Sequence, residues 1–367
     1  MKSSKIDLTS LERVQLEQFA RKLGQPAYRG RQIFSWLWRP GIRSFDQMTN
    51  LPKLLREQLS EIVAIPHPKP LEVQRSRDGT VKYAWLLPDG LSIESVLIPE
   101  RDHNTICLST QVGCQMGCRF CHTARMGFIR NLTPGEIAGQ VLCIVEEIGD
   151  RALVRNLVFM GMGEPLANYD ALICALSILT DELGLNFSSR RITVSTCGLV
   201  PEMLRLGKDA DVGLAISLHA PTDKIRSRIM PINRRYPLRQ LLSACRQYPL
   251  ARRRRITFEY LLLSGINDRA SHARELAEIL RGIPAKVNLI PFNESPGIPF
   301  RRSDEENMLQ FQQILLDEGY TAIIRKSKGQ DISAACGQLC RKDLRRDVKS
   351  QSELEARFIS MMDSDPG

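Results

Sequence analysis

The sequence predicts an α/β protein built on an open, partial (β/α)6 barrel of the TIM type, preceded by a small helical domain. Six short β-rich runs, each followed by a helical stretch, succeed one another along residues 104–293, as parallel strands of a barrel do. Eight such units close a barrel, so six predict an open one. Polar residues stand at the carboxyl ends of these runs, the rim that carries ligands in such barrels: Glu164, Ser195, Ser217, His219 and Asn293.

The first 60 residues predict three helices. The segment SLERVQLEQFARKLG has apolar residues at helical spacing, a Ser before it and a Gly after it, which are helix start and stop signals. YRGRQIFSWLWR and NLPKLLREQLSEI continue the pattern around a break at PGIRSFDQMT. We interpret residues 1–60 as a helical accessory domain that either buries its tryptophans in a core or contacts RNA through its basic residues.

Residues 61–100 predict a small β extension. PHPKP ends the helices, and the following segment alternates as strands do, with turns at Asp78-Gly79 and Asp89-Gly90. The barrel is expected over residues 101–300 and a C-terminal segment over residues 301–350. Residues 351–367 predict a weak helix and a frayed end.

Composition excludes several classes of protein. The chain has 367 residues, 43% hydrophobic and 25% charged, ordinary values for a folded globular protein. No run approaches the roughly 18 apolar residues of a membrane span, and the first residues carry no apolar signal segment. We therefore expect a cytoplasmic protein that makes no use of a membrane. The formal net charge of +10 indicates a polyanionic partner.

The strongest charge feature is residues 226–255, which contain no acidic residue. This stretch is either a solvated face with its side-chain stems lying on apolar surface, or a surface that contacts nucleic-acid phosphates. Its arginines are Arg226, Arg228, Arg234, Arg235, Arg239, Arg246, Arg252, Arg253, Arg254 and Arg255.

Cysteine spacing gives the sharpest chemical signal. Cys114, Cys118 and Cys121 follow a Cys-x3-Cys-x2-Cys pattern on a Gly-containing segment. Three thiolates on a tight loop are typical of an iron–sulfur cluster, and three ligands leave one of four irons open for chemistry. The alternative is zinc, which takes four ligands and would need His122 as the fourth, in poor geometry beside Cys121.

Further motifs follow in order along the chain: YRGRQI, IESVLIPE, ICLSTQVGCQMGCRFC, GMGEPL, ITVSTCG, ISLHAP, MPINRRYP, LIPFNE and DISAACGQL. Together they resemble the RlmN/Cfr group of radical S-adenosylmethionine (SAM) enzymes, and within it the RlmN family, over nearly the whole chain. The resemblance implies a radical SAM partial barrel that methylates C2 of an adenosine in 23S rRNA and in tRNA, next to the anticodon. The Cfr branch methylates C8 instead, and GEP and IPFN favour RlmN.

The resemblance also implies the cofactor site. Cys114, Cys118 and Cys121 would hold a [4Fe–4S] cluster whose open iron is chelated by SAM. The other SAM contacts would be Gly163, Glu164, Ser195, Ser217, Leu218, His219 and Asn293.

Three further residues match catalytic positions of the family. Cys336 would carry a methyl group taken from a first SAM, and a second SAM would supply the radical that activates it. The methylene radical would add to adenine C2 and link enzyme and RNA covalently. Glu94 would then accept the C2 proton, and Cys107 would release the RNA by forming a disulfide with Cys336.

The partners implied are 23S rRNA, tRNA and an electron donor such as flavodoxin, for a monomeric enzyme. Two other interpretations stay open at this point: an iron–sulfur RNA-binding regulator, which needs no SAM motifs, and an activase that makes a glycyl radical, which needs neither Cys107 nor Cys336. Cys143, Cys174 and Cys245 are expected in the core. Cys197 receives no role, and Cys340 no assignment.

Overall fold

A computed structural model describes residues 5–335 and 337–339. Its strands are β1 (Ile6–Asp7), β2 (Val63–Ala64), β3 (Lys69–Arg75), β4 (Val81–Leu86), β5 (Ser92–Pro99), β6 (Asn104–Cys107), β7 (Gln111–Gly113), β8 (Phe128–Asn131), β9 (Val154–Phe159), β10 (Ile192–Thr196), β11 (Gly213–Ser217), β12 (Ile256–Leu262), β13 (Ala285–Pro291) and β14 (Thr321–Ile324). Its helices are α1 (Arg13–Lys22), α2 (Ala27–Leu37), α3 (Lys53–Ile62), α4 (His122–Arg125), α5 (Pro134–Ile148), α6 (Tyr169–Thr180), α7 (Val200–Asp209), α8 (Asp223–Ile229), α9 (Leu238–Gln247), α10 (Ala270–Ile279) and α11 (Glu305–Asp317).

The three predicted N-terminal helices are confirmed as α1, α2 and α3. Helices α1 and α2 approach closely at Gly30, where an added Cβ would lie 2.4 Å from the carbonyl oxygen of Leu16. Trp38 is buried among the apolar side chains of this region, whereas Trp36 lies under the Arg39 guanidinium, 4.3 Å from its ring centre. The two tryptophans therefore differ: Trp38 belongs to the core, and Trp36 is half-buried at its edge beside a cation.

The largest sheet is mixed and has ten strands, in the order β14-β13-β12-β11-β10-β9-β6-β5-β4-β3. All six predicted runs are strands, and they pair in parallel from β6 to β13. A seventh parallel strand, β14, pairs with β13 and was not predicted. The α/β class and the open partial barrel are confirmed.

The predicted β extension is continuous with the barrel sheet. Strands β3, β4 and β5 are antiparallel, with turns at Asp78-Gly79 and Asp89-Gly90 as expected. β5 then pairs antiparallel with β6, where Val96 faces Cys107. This pairing satisfies the backbone groups that an open barrel leaves unpaired at its edge, so the extension forms one flank of the barrel.

Burial follows the layer architecture. All seven residues of β12 are buried, as expected of a parallel strand covered on both faces. Helix α5 begins with a capping box in which Thr133 and Glu136 satisfy each other's backbone N–H groups. Within the residues described, no helix is both long and apolar enough to cross a lipid bilayer.

A small hairpin at the rim fixes the cysteine loop. Strands β7 and β8 pair antiparallel, and the Cys114 N–H donates to the Gly127 carbonyl at 2.9 Å. An added Cβ at Gly113, where φ is +76°, would lie 1.8 Å from that carbonyl oxygen. A side chain at Gly113 would therefore displace the start of the cysteine loop.

The predicted division into residues 1–60, 61–100, 101–300, 301–350 and 351–367 stays a prediction. The tail, residues 351–367, lies outside the described residues.

Candidate functional site

The three predicted cluster ligands meet in one cavity at the carboxyl ends of the parallel strands. Cys114, Cys118 and Cys121 line a space of about 150 Å³, together with residues that follow β9 to β13. Five of the seven predicted SAM contacts also line it. They are Gly163, Glu164, Ser195, Ser217 and His219.

The other two predicted SAM contacts lie beside this cavity rather than in its described wall. Leu218 is fully buried, and its N–H donates to the Glu259 carbonyl at 3.0 Å. The amide oxygen of Asn293 accepts a hydrogen bond from Gln330 Nε2 at 2.8 Å.

The environment of the cysteines makes them poor nucleophiles by themselves. Burial raises the pKa of Cys114 to about 12 and that of Cys121 to about 11. These thiols stay protonated at neutral pH unless a cation replaces the protons. Buried, uncharged thiols clustered on one loop are the donor set that a soft iron–sulfur centre takes, so the residues fit that group.

Zinc fits less well. No set of three or more His, Cys, Asp or Glu side chains in the described part of the chain is grouped to hold a single metal ion. A zinc ion would draw its thiolates to about 2.3 Å from one centre. An iron–sulfur cluster binds each thiolate to a different iron, so the three thiolates do not have to share one centre.

Two glycines let the loop after β9 pack against the segment after β6. An added Cβ at Gly161 would lie 2.6 Å from the Leu108 carbonyl oxygen. Gly163 has a φ of +100°, and its Cβ would lie 2.6 Å from Gln111 Cβ. Positive φ and close approach both require glycine here, which explains the GMGEP sequence in physical terms.

Glu164 is held in place by backbone donors. Its carboxylate accepts from the N–H of Cys197 at 2.7 Å and from the N–H of Leu166 at 3.2 Å, and its own N–H donates to Gln111 Oε1 at 2.8 Å. Burial raises the pKa of Glu164, while these hydrogen bonds oppose the rise. Leu166 bonds one carboxylate oxygen and Cys197 the other, so both ends of the carboxylate are held in place.

His219 is a neutral imidazole fixed by the strand next to it. Its φ of +58° is left-handed, its Nδ1 accepts the Leu261 N–H at 3.0 Å, and its ring stands edge-on to Phe120. Burial lowers the pKa of His219 to about 3. It therefore carries no charge at physiological pH.

Several residues at the cavity were not predicted. Glu259 lines it with Phe120 and Cys197; its carboxylate accepts from Asn288 Nδ2 at 2.8 Å, and burial raises the pKa of Glu259. The available signal was an acidic residue inside the apolar strand ITFEYLL.

Cys197 was given no role, yet its Sγ lies 3.9 Å from Cys118 Sγ. Contact with Cys118 and burial raise the pKa of Cys197 well above its usual range. The three cysteines expected in the core are also inert, because burial raises the pKa of Cys143 to about 11 and those of Cys174 and Cys245 to about 12.

Glu94 and Cys107 occupy neighbouring strands on the flank beside the cavity. Glu94 on β5 is buried, and the Lys82 ammonium lies 3.5 Å from its Oε1. Ser109 Oγ donates to the Glu94 carbonyl. Cys107 is buried at the end of β6.

Cys336 lies outside the described residues, as does Cys340. Residues of the same segment do reach the cavity. Gly337 and Leu339 line it, the Gly337 carbonyl accepts the His122 N–H at 2.7 Å, and the Leu339 carbonyl accepts from Thr123 Oγ1 at 2.6 Å. The C-terminal segment is thus tied to the helix that follows the cysteines.

A second pair of contacts ties the segment to the β3–β4 turn. The Gly329 N–H donates to Asp78 Oδ2 at 2.9 Å, and Ser76 Oγ donates to Asp331 Oδ1 at 2.5 Å. These bonds join residues about 250 positions apart.

The arginine stretch is not one surface. Arg226 is fully buried and donates to three carbonyl groups and to Asn233 Oδ1. The prediction that the arginines of this stretch contact phosphates is therefore wrong for Arg226. Arg254 is half-buried and pairs with Asp211, and the other eight are exposed. Residues 252–255 precede β12 and lie at the amino ends of the strands, opposite the rim.

Comparison with known proteins gives matches over most of the chain. The radical SAM superfamily model matches residues 108–277, and a ribosomal RNA large subunit methyltransferase N-terminal domain matches residues 6–65.

Two curated relatives are similar over nearly their full length. The dual-specificity RNA methyltransferase RlmN of Desulfotalea psychrophila is 54% identical, over 91% of this chain and 95% of its own. The protein of the same name from Syntrophus aciditrophicus is 51% identical, over 94% and 99%. A crystal structure of a radical SAM methyltransferase from Sphaerobacter thermophilus superposes with a TM-score of 0.85 at 46% identity, over 91% and 99%.

Proposed function

The chain belongs to the RlmN family of dual-specificity RNA methyltransferases within the radical SAM superfamily, and from this we propose that it methylates C2 of an adenosine in 23S rRNA and in tRNA next to the anticodon. One observation carries the proposal: the same cavity is lined by the three cysteines, by the strand-end residues and by Gly337 and Leu339, which neighbour Cys336 in the sequence. An RNA-binding regulator would need no such cavity.

We assign the cofactors to the cavity walls. Cys114, Cys118 and Cys121 hold a [4Fe–4S] cluster, and the SAM contacts are Gly163, Glu164, Ser195, Ser217, Leu218, His219 and Asn293. When bound and reduced, the cluster and SAM supply a 5′-deoxyadenosyl radical. Glu164 contributes an acceptor that suits the SAM amino group. The neutral His219, whose Nδ1 already accepts the Leu261 N–H, offers its Nε2–H as a donor that suits a ribose oxygen, and two SAM molecules are used per methyl transferred.

Cys336 is proposed as the methyl carrier because the target carbon is not a nucleophile. Adenine C2 is an electron-poor aromatic carbon, so it cannot displace a methyl group from SAM. A thiolate can. Cys336 accepts the first methyl by displacement, and that S-methyl group later forms the bond to C2.

Glu94 and Cys107 are proposed to complete the release of RNA. The Lys82 ammonium lies 3.5 Å from Glu94 Oε1, and the Glu94 carboxylate is proposed to accept the C2 proton. The Cys107 thiolate attacks the Cys336 sulfur, and the bond from that sulfur to the methylene carbon breaks. The methylene carbon takes the electron pair and a proton to become the methyl group, and a Cys107–Cys336 disulfide remains.

The target adenine must leave its base stack, because C2 lies on the minor-groove edge of a paired base. We propose that exposed arginines near the rim, among them Arg234 and Arg235, contact phosphates while the helical domain supports RNA binding. The enzyme is proposed to work in the cytoplasm as a monomer, with a flavodoxin-type electron donor.

A nucleoside digest tests the proposal. The cluster is reconstituted without oxygen, and the protein is incubated with reductant, methyl-labelled SAM, a 23S rRNA fragment and tRNA. Labelled 2-methyladenosine in both RNAs is expected. Labelled 8-methyladenosine would move the chain to the Cfr branch, and SAM cleavage with no RNA methylation would overturn the substrate.

Two variants test the cysteine roles. Cys336→Ala should abolish methylation and the 14-dalton increment on the protein, whereas methylation by this variant would contradict the carrier role. Cys107→Ala should accumulate protein–RNA crosslinks, and turnover without crosslinks would exclude it as the resolving residue.

A further inference from the structure

We propose that the groove on the outer side of the cysteine loop is the docking site of an acidic one-electron carrier protein that reduces the cluster; this rests on the proposed function. The groove has a volume of about 500 Å³, and we call it the arginine groove. Its walls are Gly117, Cys118, Arg119, Ala124, Arg125, Arg228, Ile266, Gly297, Pro299 and Phe300.

Charge is the first argument. Arg119, Arg125 and Arg228 are all exposed, and the groove walls contain no acidic residue. None of the three forms an ion pair with any residue that the structure describes. Three uncompensated cations around one depression attract an acidic surface and accelerate its encounter.

The shape of the groove fits a small protein contact. Ile266, Pro299 and Phe300 provide apolar wall between the arginines, and Arg125 Nη1 donates to the Gly297 carbonyl at 2.6 Å, which fixes one side. An apolar centre with a charged rim is the usual composition of a protein interface. Electron-transfer complexes are among the smallest of these.

Proximity to the cluster ligands is the second argument. Cys118 and Ala124 line both the arginine groove and the cavity of the functional site. The wall between the two spaces is therefore one residue thick at a proposed iron ligand. A carrier seated in the groove would bring its redox centre close to the cluster without entering the cavity that holds SAM.

The position of the groove separates it from the proposed base-binding side. One wall is the cysteine loop and the other is formed by segments that follow β11, β12 and β13, whereas Glu94 and Cys107 lie on β5 and β6. Strands β9 and β10 stand in the sheet between β11 and the strands that carry Glu94 and Cys107. These placements favour a protein carrier over the RNA backbone as the occupant of the groove.

The electron count of the step is simple. One electron leaves the reduced carrier and enters the cluster, so the carrier is oxidised by one electron and the cluster is reduced by one. The groove residues gain or lose no atom, proton or electron.

Stopped-flow reduction of the cluster in the reconstituted full-length protein tests the proposal. The reductant is a purified, fully reduced flavodoxin, and the variant is Arg119→Glu/Arg125→Glu/Arg228→Glu. We expect the second-order rate of cluster reduction to fall at least about tenfold at low salt. The wild-type rate should fall toward that of the variant as salt is raised.

Two controls make the result specific. Arg190→Glu/Arg191→Glu/Arg252→Glu carries the same charge change at exposed sites that precede β10 and β12, and it should keep the wild-type rate. Photoreduction by neutral 5-deazariboflavin should reduce the clusters of all three proteins equally. The three proteins must contain the same amount of iron and sulfide. If Arg119→Glu lowers that content, the double variant Arg125→Glu/Arg228→Glu replaces the triple variant.

The outcomes are distinct. An unchanged flavodoxin rate in the groove variant would overturn the proposal. A normal rate combined with weaker RNA binding would assign the groove to RNA instead. The proposed function would be refuted if the photoreduced wild-type protein cleaved SAM but methylated no RNA. The rates of cluster reduction by flavodoxin would still test the docking proposal in that case.

Discussion

Replacing Arg226 with methionine removes a buried cation that ties the ends of β10 and β11 to the turn after α8. The guanidinium donates to the carbonyl groups of Leu218 (3.1 Å), Ser217 (3.1 Å) and Cys197 (2.7 Å), and to Asn233 Oδ1 (3.0 Å). Methionine keeps most of the side-chain length and the apolar stem, so the change isolates these four bonds.

The magnitude follows from those bonds and the cost of burying the charge. A hydrogen bond to a charged group contributes about 1.5–3 kcal/mol, so four give a gross contribution of roughly 6–12 kcal/mol. Burying one ion costs several kcal/mol, and burial accordingly lowers the pKa of Arg226. The net loss in the free energy of unfolding should be about 3–5 kcal/mol, typical of a broken buried charge network.

Urea unfolding of the protein without its cluster measures this loss. Arg228→Met is the matched control, because Arg228 lies two residues away on α8, is exposed, and should change stability by less than about 0.5 kcal/mol. An Arg226→Met variant with wild-type stability would refute the structural role. Weaker RNA binding with unchanged stability would instead restore a phosphate contact for Arg226.

Three further outcomes follow from the geometry. Gly163→Ala should weaken SAM binding by at least about tenfold in isothermal titration, because a left-handed non-glycine residue costs about 1–3 kcal/mol and the new Cβ would press on Gln111; unchanged affinity would contradict this. Burial, helped by Arg43, lowers the pKa of His67 to about 4, so the unfolded chain binds the extra proton and stability should be lost as pH falls from about 6.5 toward 4. That pH dependence, followed by urea unfolding, should be smaller in His67→Phe, and an equal slope in both proteins would exclude His67 as its source. Cys197→Ala should retain full iron and sulfide content although its thiol touches Cys118, and loss of iron would make Cys197 a ligand.

Local signals in the sequence predicted most of the architecture. Helices α1 to α3 and the six parallel strands were found because apolar spacing and turn residues report on the nearest neighbours along the chain. The sequence does not predict β14, because its four residues, TAII, carry no motif and each pairs with a β13 residue 35 positions earlier, as Thr321 does with Lys286. A short parallel strand is defined by its pairing with a strand that is far away in the chain, and the strand's own residues carry no signal of that pairing.

The site shows the same division between local and distant information. The cysteine spacing and the glycines of GMGEP could be recognised because each constrains one loop. The burial of Arg226 could not, since a count of charges says nothing of where a side chain points. The bonds from Asp78 to Gly329 and from Ser76 to Asp331 depend on the folded barrel, so only the structure reveals them.

The bonds around Glu164 have a consequence for how ligands are bound. Cys197 and Leu166 donate to its carboxylate and Gln111 receives its N–H, so the rim loops are joined by the protein's own groups. Because the folded protein already holds these loops in place, the entropy of ordering them is lost when the protein folds and not when the ligand binds. Hydrogen exchange at the Cys197 and Glu164 amides should therefore be slow before SAM arrives, and change little on its binding.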